Sequence, residues 1–493
     1  MRKWIDRRRA GVLLHITSLP GGVLGEEAYR FIDTLADAGF SVWQFLPIGP
    51  THGHGSPYET LSTFAGNPEL INLRECVACG WLAEEDYDAA AAGTMTSEAA
   101  RTRAALGFWT EARHNKELAE DVGCFRKEHT DWLDDYALFA ALKQAHNGLP
   151  WWLWPKALRD RHPDALNEAR HTLLAGIHRV IFEQYMFVRQ WHALKAHAET
   201  RGILLFGDLP IYVAHDSADV WVNRKLFTLD DEGRCYEVAG VPPDYFSATG
   251  QRWGNPLYHW QAMQADGFCW WLNRIEVQLE RMHLMRIDHF RGLESYWAIP
   301  GNMQDGCVGE WRPAPGEALL KAVRDRLGRL PFIAEDLGMI TDEVHRLRRR
   351  FGIPGMKVLQ FAFDDDADNP YLPHNHEADS VVYTGTHDND TTLGWFRQLP
   401  EDRREYILDY LDASADAMPW PLICCALDSV ARLAIIPMQD LLELGSEARL
   451  NTPGTVDGNW TWRMQQPVPA NVWARARHLN HLYGRFPAET QAL

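Results

Sequence analysis

The chain has 493 residues, 46% of them hydrophobic, which is enough for a large core. Its 49 basic and 67 acidic residues leave a formal net charge of −18, which disfavours nucleic acid as a partner and favours a neutral or cationic one. No run approaches the ~20 apolar residues of a membrane span. The basic start MRKWIDRRRAGVLLHITSLP is broken by His15 and Thr17 before a signal core can form, so a cytoplasmic location is expected.

Eight short β-branched or apolar runs read as strands in chain order. They are VLLHIT (12–17), VWQFLPI (42–48), ILLFGDLPIY (203–212) and LMRIDHF (284–290), then FIAEDLG (332–338), KVLQFAF (357–363), VVYTGTHD (381–388) and LAIIPMQDLL (433–442). Helical patterns at three- and four-residue spacing lie between most of them, over 25–39, 181–202, 268–282, 316–328 and 341–352. Gly39, Gly202, Gly328 and Gly352 stand where such helices should stop. Strand alternating with helix implies parallel pairing through right-handed crossovers. The expected fold class is therefore α/β, a (β/α)8 TIM barrel over residues 1–493.

Two long intervals interrupt the alternation. Residues 49–180 hold a polar loop and then a helical, Trp-rich stretch, expected as an inserted subdomain after the second strand. Residues 213–265 are rich in Pro, Gly, Asp and aromatics, expected as an inserted subdomain or loop after the third. Loops this long are uncommon unless functional, and both would rise from the C-terminal face, where barrel active sites form. After Leu450 too little chain remains for a further large domain. The eight cysteines, including Cys76–Cys79 in a lone CxxC and the adjacent Cys424 and Cys425, form no disulfide or zinc framework and read as buried reduced thiols.

Three of the runs end in carboxylates: Asp288 in RIDHF, Glu335 in IAEDLG and Asp388 in GTHDND. Any one of them alone reads as a salt-bridge partner. Three at corresponding strand ends are harder to treat so, because a barrel brings those ends together. Two carboxyl groups about 5–5.5 Å apart across a glycosidic bond serve retaining glycosyl transfer. Arg286 is two residues before Asp288, hence on the same strand face, and should keep it charged as a nucleophile requires. Glu335 has a more apolar setting, which favours the protonated form of an acid. Asp336 would point the other way and reads as structural or loop-binding. Asp388, beside His387, would bind sugar hydroxyls.

Other motifs lead nowhere. His52 and His54 in THGHG are two apart but lack further ligands, and the following Ser56-Pro57-Tyr58 reads better as a sugar-contacting turn. FDDDADNP (363–370) resembles a calcium loop, but Asn369 and Asn375 stand where Gly and Glu are needed, leaving a solvated turn. No P-loop, dinucleotide fingerprint or GxSxG elbow occurs.

Long ordered strings span nearly the whole chain: LLHITSLPGG, SPYETLSTFAGNP, FGDLPIYVAHDSADVW, AGVPPDYFSATGQRWGNPLY, RIDHFRGLE, IAEDLG, THDND and LNTPGT. In these the sequence resembles the amylomaltase (disproportionating enzyme) family of 4-α-glucanotransferases, glycoside hydrolase family 77. The resemblance implies an α-amylase-like barrel without a separate C-terminal β-domain. It implies Asp288 as nucleophile, Glu335 as acid/base and Asp388 as transition-state stabiliser, with Arg286, His289, His387, Asp208 and Tyr58 lining the donor site. In the loop YFSATGQRWGNPLY, Tyr245, Phe246 and Trp253 would either plug the insertion's own core or face the groove; the resemblance favours acceptor-side contacts for Gln251 and Trp253. The implied partners are α-1,4-glucans and glucose, with no metal, organic cofactor, nucleic acid or membrane. A hydrolase with the same carboxylates, or an inactive glucan-binding barrel, stays open at this point.

Overall fold

The structure is a computed structural model that describes residues 7–243, 247–364, 366–455, 457–465 and 468–487. Tyr245 and Phe246, for which a core or a groove position stood open, lie outside the described residues. Twelve strands occur among them. In chain order they are β1 (Arg9–Leu13), β2 (Val42–Gln44), β3 (Leu204–Leu209), β4 (Glu237–Val241), β5 (Gln251–Pro256), β6 (Leu284–Ile287), β7 (Ser295–Pro300), β8 (Glu310–Pro313), β9 (Phe332–Ala334), β10 (Gly355–Val358), β11 (Ser380–Tyr383) and β12 (Leu433–Pro437).

Eight of these pair in parallel in the order β10-β11-β12-β1-β2-β3-β6-β9, the staves of a (β/α)8 TIM barrel. Each falls within or overlaps one of the eight expected runs, but all are shorter. Leu13, Val42, Phe206, Leu284, Ile333 and Val381 pack together among the residues that fill the barrel. The helices Glu26–Asp37, Leu174–Thr200, Cys269–Arg281, Gly316–Leu327 and Asp342–Arg350 cover its outside at the expected places. On Glu26–Asp37 the buried residues Ala28, Phe31, Ile32 and Leu35 recur at helical spacing. Gly39, Gly202, Gly328 and Gly352 all take the left-handed backbone that ends a helix.

No regular ladder joins β9 to β10. The seam is closed instead by the Ala334 N–H, which donates to the Pro354 carbonyl at 2.8 Å, and by Asp336. One Asp336 oxygen accepts the Met356 N–H at 2.8 Å, and the other faces Arg348 Nε at 3.1 Å. Both side chains of that ion pair are buried. Gly355 sits against this carboxylate, where any Cβ would come within 2.3 Å of Asp336 Oδ2. Asp336 is therefore structural, one of the two roles expected of it, although β9 ends before it at Ala334. Asp336→Ala is expected to cost about 3 kcal/mol, because it strands a buried guanidinium and an amide; the urea-unfolding midpoint measures it.

The interval between β2 and β3 is loop up to Ile71 and then helical, including Ser97–Ala112 and Leu133–Ala145, which pack on Leu174–Thr200. The interval 213–265 contains β4 and β5, which join β7 and β8 in an antiparallel sheet ordered β5-β4-β7-β8. The sequence reading had no strand in any of those four places. The thiols also differ from expectation. All eight cysteines are free, but only Cys76 is fully buried, and Cys124, Cys269 and Cys307 are exposed.

The last helix, Ala470–Leu482, docks across the first: Asn480 Nδ2 donates to the Ala38 carbonyl at 3.0 Å. Arg485 beyond it donates to the carbonyls of Arg9 and Leu427. Among the described residues no helix is long and apolar enough to cross a membrane.

Candidate active site

The site lies at the C-terminal ends of the barrel strands. The parallel register sets Asp208 of β3 opposite Arg286 of β6. Arg286 is buried, and it spans two carboxylates. Its Nη1 donates to Asp208 Oδ2, and its Nη2 donates to Asp288 Oδ1 at 2.6 Å. The Tyr58 hydroxyl, brought in by the loop after β2, donates to the same Asp208 oxygen at 2.6 Å. Burial, then the charge of Asp208, holds the Tyr58 phenol well above its ordinary value, so it stays a donor. Asp208 is fully enclosed, whereas 28% of the Asp288 side chain is exposed. Of the two, Asp288 alone is open to a substrate.

Asp288 stands one residue past β6, and its N–H donates to the Leu209 carbonyl at 3.0 Å. His289 then turns the chain with left-handed backbone, φ 48°, at a cost on the order of 1 kcal/mol. That turn aims the His289 N–H at Glu335 Oε2, 2.7 Å away. Glu335, one residue past β9, is held further by the Leu337 N–H on Oε1 at 2.9 Å and by its own N–H on the Ile287 carbonyl at 3.0 Å. The two acids are thus mounted on one hydrogen-bonded turn.

Burial raises both carboxyls, with Arg286 opposing in each case. Asp288 is pushed up to about 8 by burial, reinforced by Asp208, Glu335 and Asp388. The sequence reading had Arg286 keeping Asp288 charged. Arg286 does oppose the rise, but burial outweighs it, and Arg286 is shared with Asp208.

Asp388 is not at a strand end: β11 stops at Tyr383, and Asp388 sits in the following turn. Asn389 shapes that turn by accepting the Thr386 N–H and hydroxyl, both at 2.9 Å. His387 is buried and stacks on Tyr58, with ring centroids 5.2 Å apart at 15°. Its Nε2 lies 3.3 Å from Asp388 Oδ2, while 44% of the Asp388 side chain is exposed. Burial lowers the His387 pKa, so the ring is neutral at physiological pH. His289 is likewise neutral, lowered to about 4 by burial.

Ser56 and Gln251 are less central. Ser56 Oγ accepts the Tyr58 N–H at 3.3 Å and so shapes the turn that delivers Tyr58. Gln251 and Trp253 lie on β5, a strand where a loop was expected. Gln251 Oε1 accepts from Trp253 Nε1 at 3.0 Å, and Trp253 meets His289 edge-on, centroids 4.8 Å apart. His54 faces Glu59 at 2.7 Å, and among the described residues no group of three His, Cys, Asp or Glu side chains is placed to hold a metal ion.

The cluster retains polar capacity of its own. Among the described residues, Asp208 Oδ1, Arg286 Nε and His289 Nε2 are buried without a protein partner. Two pockets flank it. One includes His15, His387 and Trp462 in its lining, and the other includes Tyr58, Asp208 and Tyr212.

Against this geometry, the family model described as 4-alpha-glucanotransferase matches residues 14–468. The chain belongs to the 4-alpha-glucanotransferase family. A 4-alpha-glucanotransferase of Thermus thermophilus is 50% identical over 478 residues, covering 93% of this chain and 95% of the relative. One from a Synechocystis species is 48% identical over 499 residues, covering 98% and 99%. An amylomaltase from Streptococcus agalactiae, solved in complex with acarbose, superposes with a TM-score of 0.93 at 35% identity, covering 98% of this chain and all of that one.

In this member of the 4-alpha-glucanotransferase family, sequence reasoning missed several residues around the three acids. Arg274 is buried between Trp270 and Trp271 and donates to the carbonyls of Pro210 and Ile211, fixing the chain just after β3. Asn451 donates to Asp388, and Trp460 stands 6.0 Å from Tyr58 and 6.1 Å from His387. The string LNTPGT marked this last region, but nothing local in it pointed to Asp388.

Proposed function

We propose that the protein is a retaining 4-α-glucanotransferase that moves an α-1,4-glucan segment from a donor glucan to the 4-hydroxyl of another glucan or of glucose. The supporting observation is the shared turn: one short backbone segment mounts Asp288 beside Arg286 and holds Glu335 through the His289 N–H. A carboxylate nucleophile and an acid that can give and retake a proton form the set that double displacement needs.

In the first step an Asp288 oxygen bonds to the anomeric carbon as the glycosidic C–O bond breaks. Glu335 gives its proton to the departing 4-oxygen. The substrate itself sorts the proton. A glycosidic oxygen can only accept, so it favours protonated Glu335; the growing positive charge at the anomeric carbon favours ionised Asp288. In the second step Glu335 takes the proton of the acceptor 4-hydroxyl, that oxygen bonds to the anomeric carbon, and the ester bond to Asp288 breaks. Two inversions restore the α configuration.

Asp388 and neutral His387 bind hydroxyls of the sugar being distorted, and the Tyr58 and Trp460 rings offer it apolar faces. Tyr58, Asp208, Arg286 and His289 complete the donor side, with Ser56 supporting Tyr58. Gln251 and Trp253 lie toward the acceptor. There Trp253 adds apolar surface beside the turn of Asp288, which favours a sugar hydroxyl over water. The helical interval 49–180 and the interval 213–265 form walls of the groove. Two carboxylates and bound-sugar distortion suffice, so the proposal needs no metal or organic cofactor. A cytoplasmic location fits a glucan substrate of this kind.

Maltotriose tests transfer against hydrolysis. The expected products are glucose and longer maltooligosaccharides, with total reducing ends constant. A steady rise in reducing ends would replace the transferase reading with a hydrolase.

A further inference from the structure

The loop after β12 grips Asp388 from the side opposite His387. Asn451 Nδ2 donates to Asp388 Oδ1 at 2.6 Å. Arg449 Nη2 donates to the Asp388 carbonyl at 2.7 Å, and its Nε donates to the Asn451 carbonyl at 2.8 Å. One guanidinium therefore ties the backbone of Asp388 to the backbone of the residue that holds its side chain. The segment is anchored in turn: the Trp460 N–H donates to the Leu450 carbonyl at 2.7 Å, and Asn459 Oδ1 accepts the Thr452 N–H at 2.9 Å.

The chemistry of the amide matters. Asp388 is nearly half exposed, so its carboxylate is free to rotate unless one oxygen is fixed. A neutral donor on Oδ1 fixes it while leaving the negative charge undiminished. Oδ2, next to His387, is then the oxygen turned to a sugar hydroxyl. Lysine or arginine in the same place would neutralise part of the charge that must meet an oxocarbenium-like carbon.

We infer that Asn451 is a positioning residue: it orients the Asp388 carboxylate toward the sugar during the transition state, acting through Asp388 alone. This rests on the role given to Asp388 above. Such a residue affects the transition state more than ground-state binding, so its loss should appear in kcat with KM for the donor nearly unchanged.

The test is a double-mutant cycle with α-maltosyl fluoride as donor, read by fluoride release. Asn451→Ala in the native background should lower kcat about 10- to 100-fold, the range for a hydrogen bond to a charged group. In an Asp388→Asn background, Asn451→Ala should cost less than about twofold, since the carboxylate it orients is gone. An equal loss in both backgrounds, with Asp388→Asn itself crippled, overturns the inference while leaving Asp388 its role. A variant that merely misfolds gives that same equal loss and counts against the inference too. A rise in KM with kcat unchanged makes Asn451 a binding residue and also overturns it. If Asp388→Asn alone keeps full activity, the role of Asp388 falls first, and the inference with it.

Discussion

Asp288→Asn should lower kcat/KM on maltotriose by roughly 10⁴-fold or more, equivalent to about 5 kcal/mol of transition-state stabilisation. The amide has the shape of the carboxylate but no anionic oxygen to bond to the anomeric carbon, so the ester cannot form. The fold should not suffer. In the native protein one guanidinium, Arg286, faces both Asp208 and Asp288, and burial together with acidic neighbours pushes Asp288 upward. The amide keeps an oxygen for Arg286 without a charge that burial disfavours, and Arg286 keeps Asp208. The unfolding midpoint of Asp288→Asn should therefore equal or exceed that of the native protein, as expected where function rather than stability holds a charge in place. Undiminished turnover in a well-folded variant would take the nucleophile role away from Asp288. Lost turnover with a lowered midpoint would make Asp288 a structural partner of Arg286 instead.

The i to i+2 spacing of Arg286 and Asp288 carried into the structure as a direct contact, because strand alternation is a local rule. Asp208 was not legible in the same way. It meets Arg286 across 78 residues of chain, through the register of β3 against β6, and register is fixed by the whole barrel. The expected strands ran too long for a related reason. Phe45, Leu46 and Ile48 are buried although β2 ends at Gln44, since the loops at the barrel mouth are themselves covered. An apolar run reports burial, and backbone pairing stops earlier. The small sheet escaped notice because its strands carry little alternation: β5 reads QRWGNP, with Gly, Asn and Pro inside it. Asn451 escaped because an amide that serves a carboxylate 63 positions away leaves no periodic trace.

Glu335→Ala should separate its two substrates sharply. On maltotriose the leaving 4-oxygen departs as a poor anion unless it is protonated, so kcat/KM should fall roughly 10³-fold, within the usual range for a lost general acid. On α-maltosyl fluoride, fluoride leaves without a proton, and kcat/KM for its release should fall by less than about tenfold. pH supplies the second arm. Burial raises Glu335, so the proton it gives as an acid leaves at a higher pH than from an ordinary glutamate. The native enzyme acting on maltotriose needs that proton, so its kcat/KM is present below this pH and is lost as pH rises through it. With Glu335→Ala and the fluoride donor no proton is needed, and the alkaline fall should vanish. Asp288 then has one fewer acidic neighbour, so the pH at which it becomes ionised and active should move down. Equal losses on the two donors would deny Glu335 its acid role. A persistent alkaline fall in the variant would assign that limb to some other group.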